Sequence, residues 1–391
     1  MEQTMEKRQK TETPPVDVLS AIDHDNLKII AVKRRYIDQP VDYNLDVGTK
    51  IAALKASPSV VSLISFSGES VLCQGSGFII EAEERNNTVM TSLNLIRRPR
   101  DTKFGDNKLA DNLKIVVCTT TENTYFGEIF KYDFHYNILI IKFTSNVFLQ
   151  SCCLRMIDDD FGPKNSYELR PHTPKANPGD TVVAVGRYFC RPFNFMAASA
   201  FFSMDRCEYH DCGELLSIQC SITRCGEGGP LVNLFGEVIG ITFYEIGHVT
   251  PVLPINIACK WWDHCKKYME LRHPCYGFEA SSLYTTAAID TLEKFINRFP
   301  SVSGGVLIEK VLPGSSAELA GLCENDIIIK CDGRTVKSFL EQLWNLLWIK
   351  VGDSVEFEVA RIDFSTTQRI NIKVGEAVPD ELNSWPLYVI G

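Results

Sequence analysis

The amino-acid sequence predicts a mainly β protein built from two folded units, and three observations support this prediction. Short apolar runs separated by turns follow one another from Ser59 onward, with few helical windows between them. Apolar residues from Ala258 to Met269 recur at spacings of three and four, which indicates an amphipathic helix. A second series of strand-like runs begins at Gly305. The first series covers residues 60–66, 77–80, 88–91, 113–118, 138–143, 181–185 and 195–202.

These changes of pattern divide the chain into four segments. Residues 1–50 are polar and mixed in charge, and we expect a disordered leader followed by a transition segment. The first β unit and its closing helix span 51–270, and the second unit spans 271–376. The tail, 377–391, has no predicted structure. In the second unit we expect strands at 305–311, 326–329, 354–361 and 369–374, a hairpin at 331–334, and helices at 317–322 and 338–348.

Composition excludes several classes of function. The chain of 391 residues has a formal net charge of -9, which argues against general binding to nucleic acid phosphates. The basic pair Arg97-Arg98 is interpreted as part of a solvated face. The 14 cysteines form no C-x-x-C pair; Cys207 and Cys212 flank His210, but a second ligand pair at metal-binding spacing is absent. We therefore expect no metal and no cofactor.

The N-terminal residues predict an intracellular location. They lack the apolar core of a secretion signal, and their acidic residues are atypical of a transit peptide. No stretch approaches the roughly 20 apolar residues of a membrane-spanning helix. Scattered free thiols fit a reducing compartment. The expected location is the cytoplasm or the nucleus, with no membrane association.

The motif that organises the first unit is the loop from Arg224 to Val232, which reads Arg-Cys-Gly-Glu-Gly-Gly-Pro-Leu-Val. Three glycines in four positions mark a tight backbone between two apolar runs, although a plain glycine-rich turn would also contain them. The loop resembles the G-N-S-G-G-P-L nucleophile loop of HtrA/Deg (Do-like) serine proteases, which have a trypsin-like double β-barrel and a C-terminal PDZ domain. Glu227 stands where that family has its attacking serine.

Two further motifs occur in the order of the same family. Residues 74–80, Gln-Gly-Ser-Gly-Phe-Ile-Ile, resemble the strand before the catalytic histidine loop, and Asn94 stands where the histidine is expected. Residues 137–142, Asn-Ile-Leu-Ile-Ile-Lys, resemble the strand that begins with the catalytic aspartate, and Asn137 takes that place. The resemblance covers about residues 59–374 and points to a divergent, plant-type member that lacks the catalytic triad.

The residues at these three places are unsuited to peptide hydrolysis. An amide has no lone pair basic enough to accept a proton near neutral pH, so Asn94 cannot act as the general base. A carboxylate at position 227 is a poor nucleophile towards an amide, and its charge opposes the negative charge that an oxyanion hole stabilises. The oxyanion loop would comprise Cys225, Gly226 and Glu227, and Cys225 replaces the first glycine of the family motif.

The second unit resembles the PDZ domain that follows the protease domain in the same family. Tyr276, Gly277 and Phe278 occupy the place of the loop that binds a peptide's terminal carboxylate. A glycine there allows successive backbone N–H groups to turn towards the carboxylate, while a strand edge and a helix flank the peptide. The alternative interpretation is a turn between domains in which Phe278 is simply buried.

Three hypotheses for function follow. The leading one is a catalytically inactive pseudoprotease that binds peptides, unfolded segments or partner proteins through its barrel cleft and PDZ domain. The second is a serine-type endopeptidase fold with a displaced catalytic set, for example Cys225 as nucleophile supported by His135 and Asp133. The third is a regulatory subunit that joins active HtrA-like protomers, since family members often form trimers.

Overall fold

The computed structural model describes most of the two predicted units. The described residues are 45–98, 107–120, 123–159, 176–188, 195–207, 212–220, 222–244, 249–268, 273–346, 351–362, 364–377 and 385, without the side chains of residues 344 and 345. Leader residues 1–44 and all of the tail except Ala377 and Trp385 lie outside this description. None of the helices within it is long and apolar enough to cross a membrane.

The first β unit begins with a short helix and a closed barrel of six strands. Helix α1 spans Val47–Ala56, so it starts inside the segment that the sequence treats as a transition. The barrel order is β1-β2-β3-β6-β5-β4. Its strands are β1 Val60–Ser67, β2 Ser70–Glu83, β3 Asn86–Ser92, β4 Leu113–Cys118, β5 Thr124–Asp133 and β6 Ile138–Thr144. The sequence did not predict β5, whose apolar residues are partly exposed.

Alternation along the barrel strands builds two different cores. In β6, Leu139 and Ile141 fill the interior of the barrel together with Leu63 of β1. The intervening Ile138 and Ile140 face outward and pack with residues of the following sheet. Because successive strand residues point to opposite faces, one apolar strand joins both cores.

The following sheet has six strands in the order β8-β7-β10-β11-β12-β9. Helix α2, Ile255–Lys267, then packs back with Trp261 and Trp262 buried, as the periodicity predicted. Met269, the last residue of that periodic pattern, lies outside the described residues. The strands are β7 Thr181–Arg187, β8 Phe195–Phe201, β9 Leu216–Ile218, β10 Pro230–Asn233, β11 Val238–Thr242 and β12 Thr250–Pro254.

The second unit is a separate sheet with its own core. Its order is β14-β15-β16-β18-β19, with β17 paired to β16, and the short pair β13–β20 joins its beginning to its end. The strands are β13 Pro274–Cys275, β14 Phe278–Ser282, β15 Val306–Val311, β16 Ile327–Cys331, β17 Arg334–Thr335, β18 Ser354–Arg361, β19 Thr366–Lys373 and β20 Gly375–Glu376. The predicted hairpin is present, and Asp332 and Gly333 both adopt positive φ in its turn.

The described part of this unit also contains four helices: α3 Leu283–Thr286, α4 Ile289–Arg298, α5 Ser316–Leu319 and α6 Phe339–Leu346. The sequence predicted α5 and α6 but not α3 or α4. In α4 one apolar side, centred on Phe295, packs under the sheet, while Ile289 stays exposed. The mainly β fold class, with a helix between two β units, is confirmed.

Candidate functional site

Glu227 stands on a tight turn wedged between the two sheets of the first unit. The turn follows a 3-10 helix, Arg224–Gly226, and leads into β10. A Cβ atom on Gly228 would lie 2.3 Å from Thr91 Oγ1, and one on Gly229 would lie 2.2 Å from the carbonyl oxygen of Val185. Gly228 also has a φ of 75°. Side chains are therefore excluded at both positions, as the glycine pattern of the sequence indicated.

The carboxylate of Glu227 is bound by residues of the first barrel. Its Oε1 accepts hydrogen bonds from Ser92 Oγ and from Asn94 Nδ2, each at 2.8 Å. Asn137 Nδ2 donates to the same Ser92 hydroxyl at 3.1 Å. The three positions singled out in the sequence thus lie in one hydrogen-bonded cluster, with Ser92 at its centre. Ser92 lies two residues before Asn94, but no motif marked it.

A buried arginine supports this cluster, and here the sequence interpretation was wrong. Arg97 is fully buried rather than part of a solvated face. One of its terminal nitrogens donates to Asn137 Oδ1 at 3.0 Å, and the other donates to Asn107 Oδ1 at 2.6 Å. The guanidinium also lies over the ring of Phe134, 5.0 Å from its centroid. A charge is buried only where it is paired or hydrogen-bonded, and the amide oxygens meet this need.

Asn137 occupies a backbone position that few other residues tolerate. Its φ is 56°, in the left-handed region that asparagine enters more readily than most residues. The side chain is fully buried, where it donates to Ser92 and accepts from Arg97. Both the backbone conformation and the hydrogen bonds therefore favour an amide at this position.

The surroundings of Glu227 shift its protonation equilibrium. Burial raises the pKa of the carboxyl, while hydrogen bonds from Ser92 and Asn94 and the charge of Arg97 partly offset this effect; the net pKa is raised. The backbone N–H of Tyr244 also reaches the carboxylate. None of the hydrogen-bond partners named here is an imidazole, and Glu227 itself is the carboxyl of the cluster that can take up a proton.

The hydroxyl of Ser92 takes part in three hydrogen bonds. Ser92 Oγ donates its proton to Glu227 and accepts hydrogen bonds from the backbone nitrogen of Asn94 and from Asn137 Nδ2. Both lone pairs of the hydroxyl are therefore occupied, and Ser92 is fully buried. The Ser92 hydroxyl therefore links Glu227, Asn94 and Asn137 in one hydrogen-bonded group.

Two backbone N–H groups of the predicted oxyanion loop donate hydrogen bonds within their own turn. The N–H of Gly226 donates to the carbonyl of Thr223 at 2.8 Å, and the N–H of Glu227 donates to the carbonyl of Arg224 at 3.2 Å. An oxyanion hole requires N–H groups aimed at the reacting oxygen. Cys225 is buried, with its sulfur 2.9 Å from Thr223 Oγ1 and 3.8 Å from Met196 Sδ.

Asp133 has a partner that the sequence did not single out. Its Oδ2 lies 2.9 Å from His273 Nε2 and accepts a hydrogen bond from Trp261 Nε1 at 2.7 Å. The ring of His135 lies beside His273, with centroids 4.7 Å apart. Asp133 thus pairs with His273, at the start of the second unit. The hypothesis of a displaced catalytic set had instead paired Asp133 with His135.

Within the described residues, no group of three or more His, Cys, Asp or Glu side chains is placed to hold a metal ion. Cys207 and Cys212 are buried, and His210 lies outside the described residues. Cys212 Sγ contacts Glu214 Oε2 at 3.3 Å.

The proposed carboxylate loop of the second unit is tightly constructed around Gly277. Its φ is 76°, and a Cβ atom there would lie 2.2 Å from the Cβ of Ser315. Tyr276 OH donates to the carbonyl of Leu346 at the end of α6, at 2.8 Å. Phe278 begins β14, which is the end strand of its sheet in the described topology. A peptide strand could therefore add between β14 and α6.

Comparisons with known proteins agree with this architecture. Residues 75–241 match the family described as trypsin-like peptidase domain, and residues 292–374 match the PDZ domain family. The chain is 28% identical over 345 residues to "Putative protease Do-like 14" of Arabidopsis thaliana, which covers 85% of this chain and 71% of that protein. It is 27% identical over 175 residues to human "Serine protease HTRA3", which covers 42% of this chain and 38% of that protein.

Solved structures show the same fold. "HtrA-type protease AlgW with tripeptide" aligns with a TM-score of 0.54 at 16% identity, over 85% of this chain and 98% of that one. "HtrA-type protease AlgW with decapeptide" aligns with a TM-score of 0.51 at 16% identity, over 85% of this chain and 99% of that one. At this level of identity the likeness concerns the fold alone.

Proposed function

Because this chain belongs to the HtrA/Deg family, with a trypsin-like peptidase domain followed by a PDZ domain, we propose that it is a non-catalytic member that binds peptide segments. The observation that carries this proposal is the carboxylate of Glu227, which is hydrogen-bonded to Ser92 and Asn94. Peptide hydrolysis by this class of protease requires an attacking serine in contact with a histidine that accepts its proton. By the family resemblance Glu227 stands at the place of that serine and Asn94 at the place of that histidine, and an amide cannot accept the proton.

The magnitude of the missing chemistry supports the same conclusion. Loss of a complete catalytic triad costs about 10⁶ in kcat in a comparable protease, which corresponds to roughly 8 kcal/mol of activation free energy. In such enzymes the residual rate comes from the oxyanion hole and from binding. The N–H groups of Gly226 and Glu227 are already used within their own turn, so this residual source is weakened as well.

The test is a cleavage assay on the full chain with unfolded casein and a fluorescent peptide library. We expect no turnover above the buffer rate, both for the natural chain and for Glu227→Gln. Turnover that disappears in Glu227→Gln would overturn the proposal. Turnover that disappears in Cys225→Ser instead would establish the displaced endopeptidase.

The PDZ domain supplies the peptide-binding part of the proposal. Peptides with a free, apolar C-terminus should bind between β14 and α6, with the carboxylate against the loop at Gly277. Hydrogen bonds to a charged group contribute about 1.5–3 kcal/mol, so amidating the peptide should weaken binding tenfold or more. Equal affinity of the free-acid and amidated peptides, measured by calorimetry, would refute this assignment.

Assembly with other protomers is a second proposal, and helix α1 favours it. Its inward side is buried, yet Val47, Ile51 and Leu54 on the opposite side are 73%, 47% and 66% exposed. Lys50 and Lys55 are also exposed on this helix, but three large apolar residues at spacings of four and three form a stripe of the kind that protein contacts cover. We propose that a second copy of the peptidase domain, or a related protomer, covers this face. The regulatory-subunit hypothesis requires such a contact.

Sedimentation velocity tests this assembly. The double variant Ile51→Glu, Leu54→Lys should sediment as a smaller species than the natural chain. Phe364→Glu, which changes an equally exposed apolar residue of the PDZ domain, should not alter the sedimentation coefficient. A natural chain that is monomeric at all concentrations would contradict the proposal.

An intracellular location also stands as a proposal. None of the thirteen cysteines within the described residues forms a disulfide. Free thiols persist in reducing compartments, whereas secreted proteins usually pair them. Fractionation of cells that express the natural chain, followed by immunodetection, tests the location. Recovery from a secretory compartment would contradict it.

A further inference from the structure

The outward face of the first barrel carries a row of exposed aromatic side chains on β5. Phe126, Phe130 and Tyr132 are 56%, 44% and 43% exposed. Exposed apolar patches on a folded domain often mark contacts with another molecule. Strand β5 is paired on both sides, with β4 and β6, so a partner cannot bind it by adding a strand. A contact at this face must therefore be made by side chains.

A cavity of about 570 Å³ lies beside this row, across the four neighbouring strands β2, β3, β6 and β5. Its charged lining residues are Glu81 and Glu83 of β2, Glu128 of β5 and Lys142 of β6. Lys142 and Glu128 alternate with residues of the barrel interior and are paired across the two strands, so both face outward. Phe126 also lines the cavity. The cavity therefore combines an aromatic wall with three carboxylates and one ammonium group.

The ammonium group of Lys142 is directed to one side of this cavity. Lys142 lies opposite Glu128, which is two residues from Phe126 on one side and two residues from Phe130 on the other. Its Nζ lies 3.6 Å from the centroid of the Phe130 ring, in a cation–π contact. Phe126 makes no ring or cation contact with another residue in the described part of the chain. The charge of Lys142 thus covers one aromatic ring and leaves the other uncovered.

The three carboxylates differ in their partners. Glu81 Oε1 accepts hydrogen bonds from Trp262 Nε1 at 2.9 Å and from Lys266 Nζ at 3.1 Å, both on helix α2. The carboxylates of Glu83 and Glu128 form no hydrogen bond or ion pair with any other described residue. Two negative charges and one aromatic face are therefore available to a ligand.

The ligand chemistry that complements these groups is that of arginine. A guanidinium stacks on an aromatic face and donates to carboxylate oxygens through several N–H groups. Strands β2 and β5, which carry Glu83 and Glu128, are three strand spacings apart in the barrel order. Three spacings amount to about 14 Å, which is the length of roughly four residues of extended peptide. Side chains four positions apart in such a peptide point to the same side.

We propose that the outward face of the first barrel binds an extended segment of a partner protein that carries two arginines four positions apart. One arginine stacks on Phe126 and pairs with Glu128, and the other pairs with Glu83. The segment crosses the strands and needs no free strand edge. This inference is independent of the functions proposed for the Glu227 cluster and for the PDZ domain, because it uses none of their residues.

The test uses the full chain and the labelled peptide acetyl-Gly-Arg-Ala-Thr-Ala-Arg-Gly-amide, which has no free carboxylate for the PDZ domain. The control peptide acetyl-Gly-Ala-Arg-Arg-Thr-Ala-Gly-amide has the same composition, but its adjacent arginines point to opposite sides when extended. By fluorescence anisotropy, the natural chain should bind the first peptide about fivefold more tightly, the ratio expected from losing one partly exposed ion pair. Binding should weaken as salt is added.

The double variant Glu83→Gln, Glu128→Gln should bind the first peptide about fivefold more weakly than the natural chain, or less tightly still. Glu293→Gln, Glu324→Gln is the matched control, because it removes two exposed carboxylates from the PDZ domain, and it should bind as the natural chain does. Natural-like affinity of the first double variant would overturn the inference. Equal binding of the two peptides, or no binding to the natural chain, would overturn it as well.

Phe126→Ala tests the aromatic wall and should also weaken binding, whereas Phe364→Ala, which shortens an exposed aromatic residue of the PDZ domain, should not. A second measurement needs no variant of the cavity. The indole N–H of Trp262 contacts Glu81, so its NMR signal, assigned by its loss in Trp262→Phe, should shift when the first peptide binds. An unchanged signal at saturation would place the peptide elsewhere and contradict the inference. Casein cleavage and binding of free-acid peptides do not involve this face, so a failure here is distinguishable from theirs.

Discussion

Glu227 shows how one buried side chain can join the two sheets of the peptidase domain. A carboxyl group buried between the barrel and the sheet links them through Ser92 and Asn94 of the barrel, to which it is hydrogen-bonded. Its raised pKa means that the folded protein binds the proton more tightly than the unfolded chain, whose glutamates titrate near about 4.3. Glu227 therefore makes the stability of the protein depend on pH.

The first prediction concerns Glu227→Gln. For a carboxyl whose folded pKa is raised, stability falls as the pH rises from below the unfolded pKa through the folded pKa. Glutamine cannot titrate, so the variant should gain stability relative to the natural chain over that window. Urea unfolding at a series of pH values measures the difference. The exposed Glu128→Gln provides the control, and a difference independent of pH would contradict the prediction.

At the scale of the element, the loop at Gly277 contains a glycine that is required for two independent reasons. Its positive φ strains any other residue, and its missing side chain leaves room for Ser315. Gly314 shares a positive φ of 74° but has no atom within 4 Å of the place of a Cβ. Alanine at Gly314 would therefore cause backbone strain alone, whereas alanine at Gly277 would cause both strain and steric overlap.

The second prediction compares Gly277→Ala with Gly314→Ala. Both should destabilise the PDZ domain by about 1 kcal/mol through strain at positive φ. Gly277→Ala should cost a further 1–3 kcal/mol, on the order of an overpacked core, because its methyl group overlaps Ser315. It should also weaken binding of free-acid peptides. Thermal unfolding of the two variants measures the difference, and equal midpoints would contradict the overlap.

The turn before β6 connects the peptidase domain to the start of the PDZ domain. Burial lowers the pKa of His273, but the charge of Asp133 and their hydrogen bond outweigh this effect, so the pKa is raised. The stabilisation is fully present below the unfolded value of about 6.5 and is lost as the pH rises through the folded pKa. Asp133 itself has a lowered pKa despite its burial, because His273 favours its charged form.

The third prediction is that His273→Gln lowers the free energy of unfolding at pH 6, and that the deficit shrinks as the pH rises through the folded pKa of His273. Glutamine keeps a hydrogen-bond donor but cannot carry the charge. Chemical unfolding of the natural chain, His273→Gln, Asp133→Asn and the double variant gives the coupling energy. Zero coupling at pH 6 would show that the pair contributes nothing.

At the scale of the whole molecule, the two domains share an interface on helix α6. Leu340 and Leu343 of α6 belong to the core of the peptidase domain. Asp159, buried on the segment after β6, accepts hydrogen bonds from Ser282 Oγ at 2.5 Å and from the backbone nitrogen of Leu340 at 3.0 Å. Arg206 reaches Glu309 of the PDZ domain from the other side. Helix α6 is therefore a contact between the domains.

The fourth prediction concerns Asp159→Ala. Removal of the carboxylate leaves the buried hydroxyl of Ser282 and the buried N–H of Leu340 without their acceptor. We expect this to cost about 1–3 kcal/mol of unfolding free energy. Because that acceptor joins the domains, scanning calorimetry should resolve two transitions where the natural chain shows one. The exposed Asp263→Ala on α2 is the control. A single transition with an unchanged midpoint would contradict the role of Asp159.

The sequence determined the fold class and the place of the candidate site, for local reasons. Alternating apolar runs specify strands, and tight glycines specify turns, because both depend on neighbours along the chain. Trypsin-like and PDZ domains in the expected order confirm the fold class. The sequence analysis missed strand β5 because some of its outward-facing residues, such as Phe126, are apolar. Its sequence therefore does not alternate between apolar and polar positions.

Only the tertiary structure decided which side chains meet. Ser92 contacts Glu227 across 135 positions of sequence, and Arg97 contacts Asn137 across 40. His273 contacts Asp133 across 140 positions. Trp385 reaches back 250 positions to His135. Such pairs arise when strands and domains pack, since burial brings together polar groups that must satisfy one another, and no local pattern records a partner so distant.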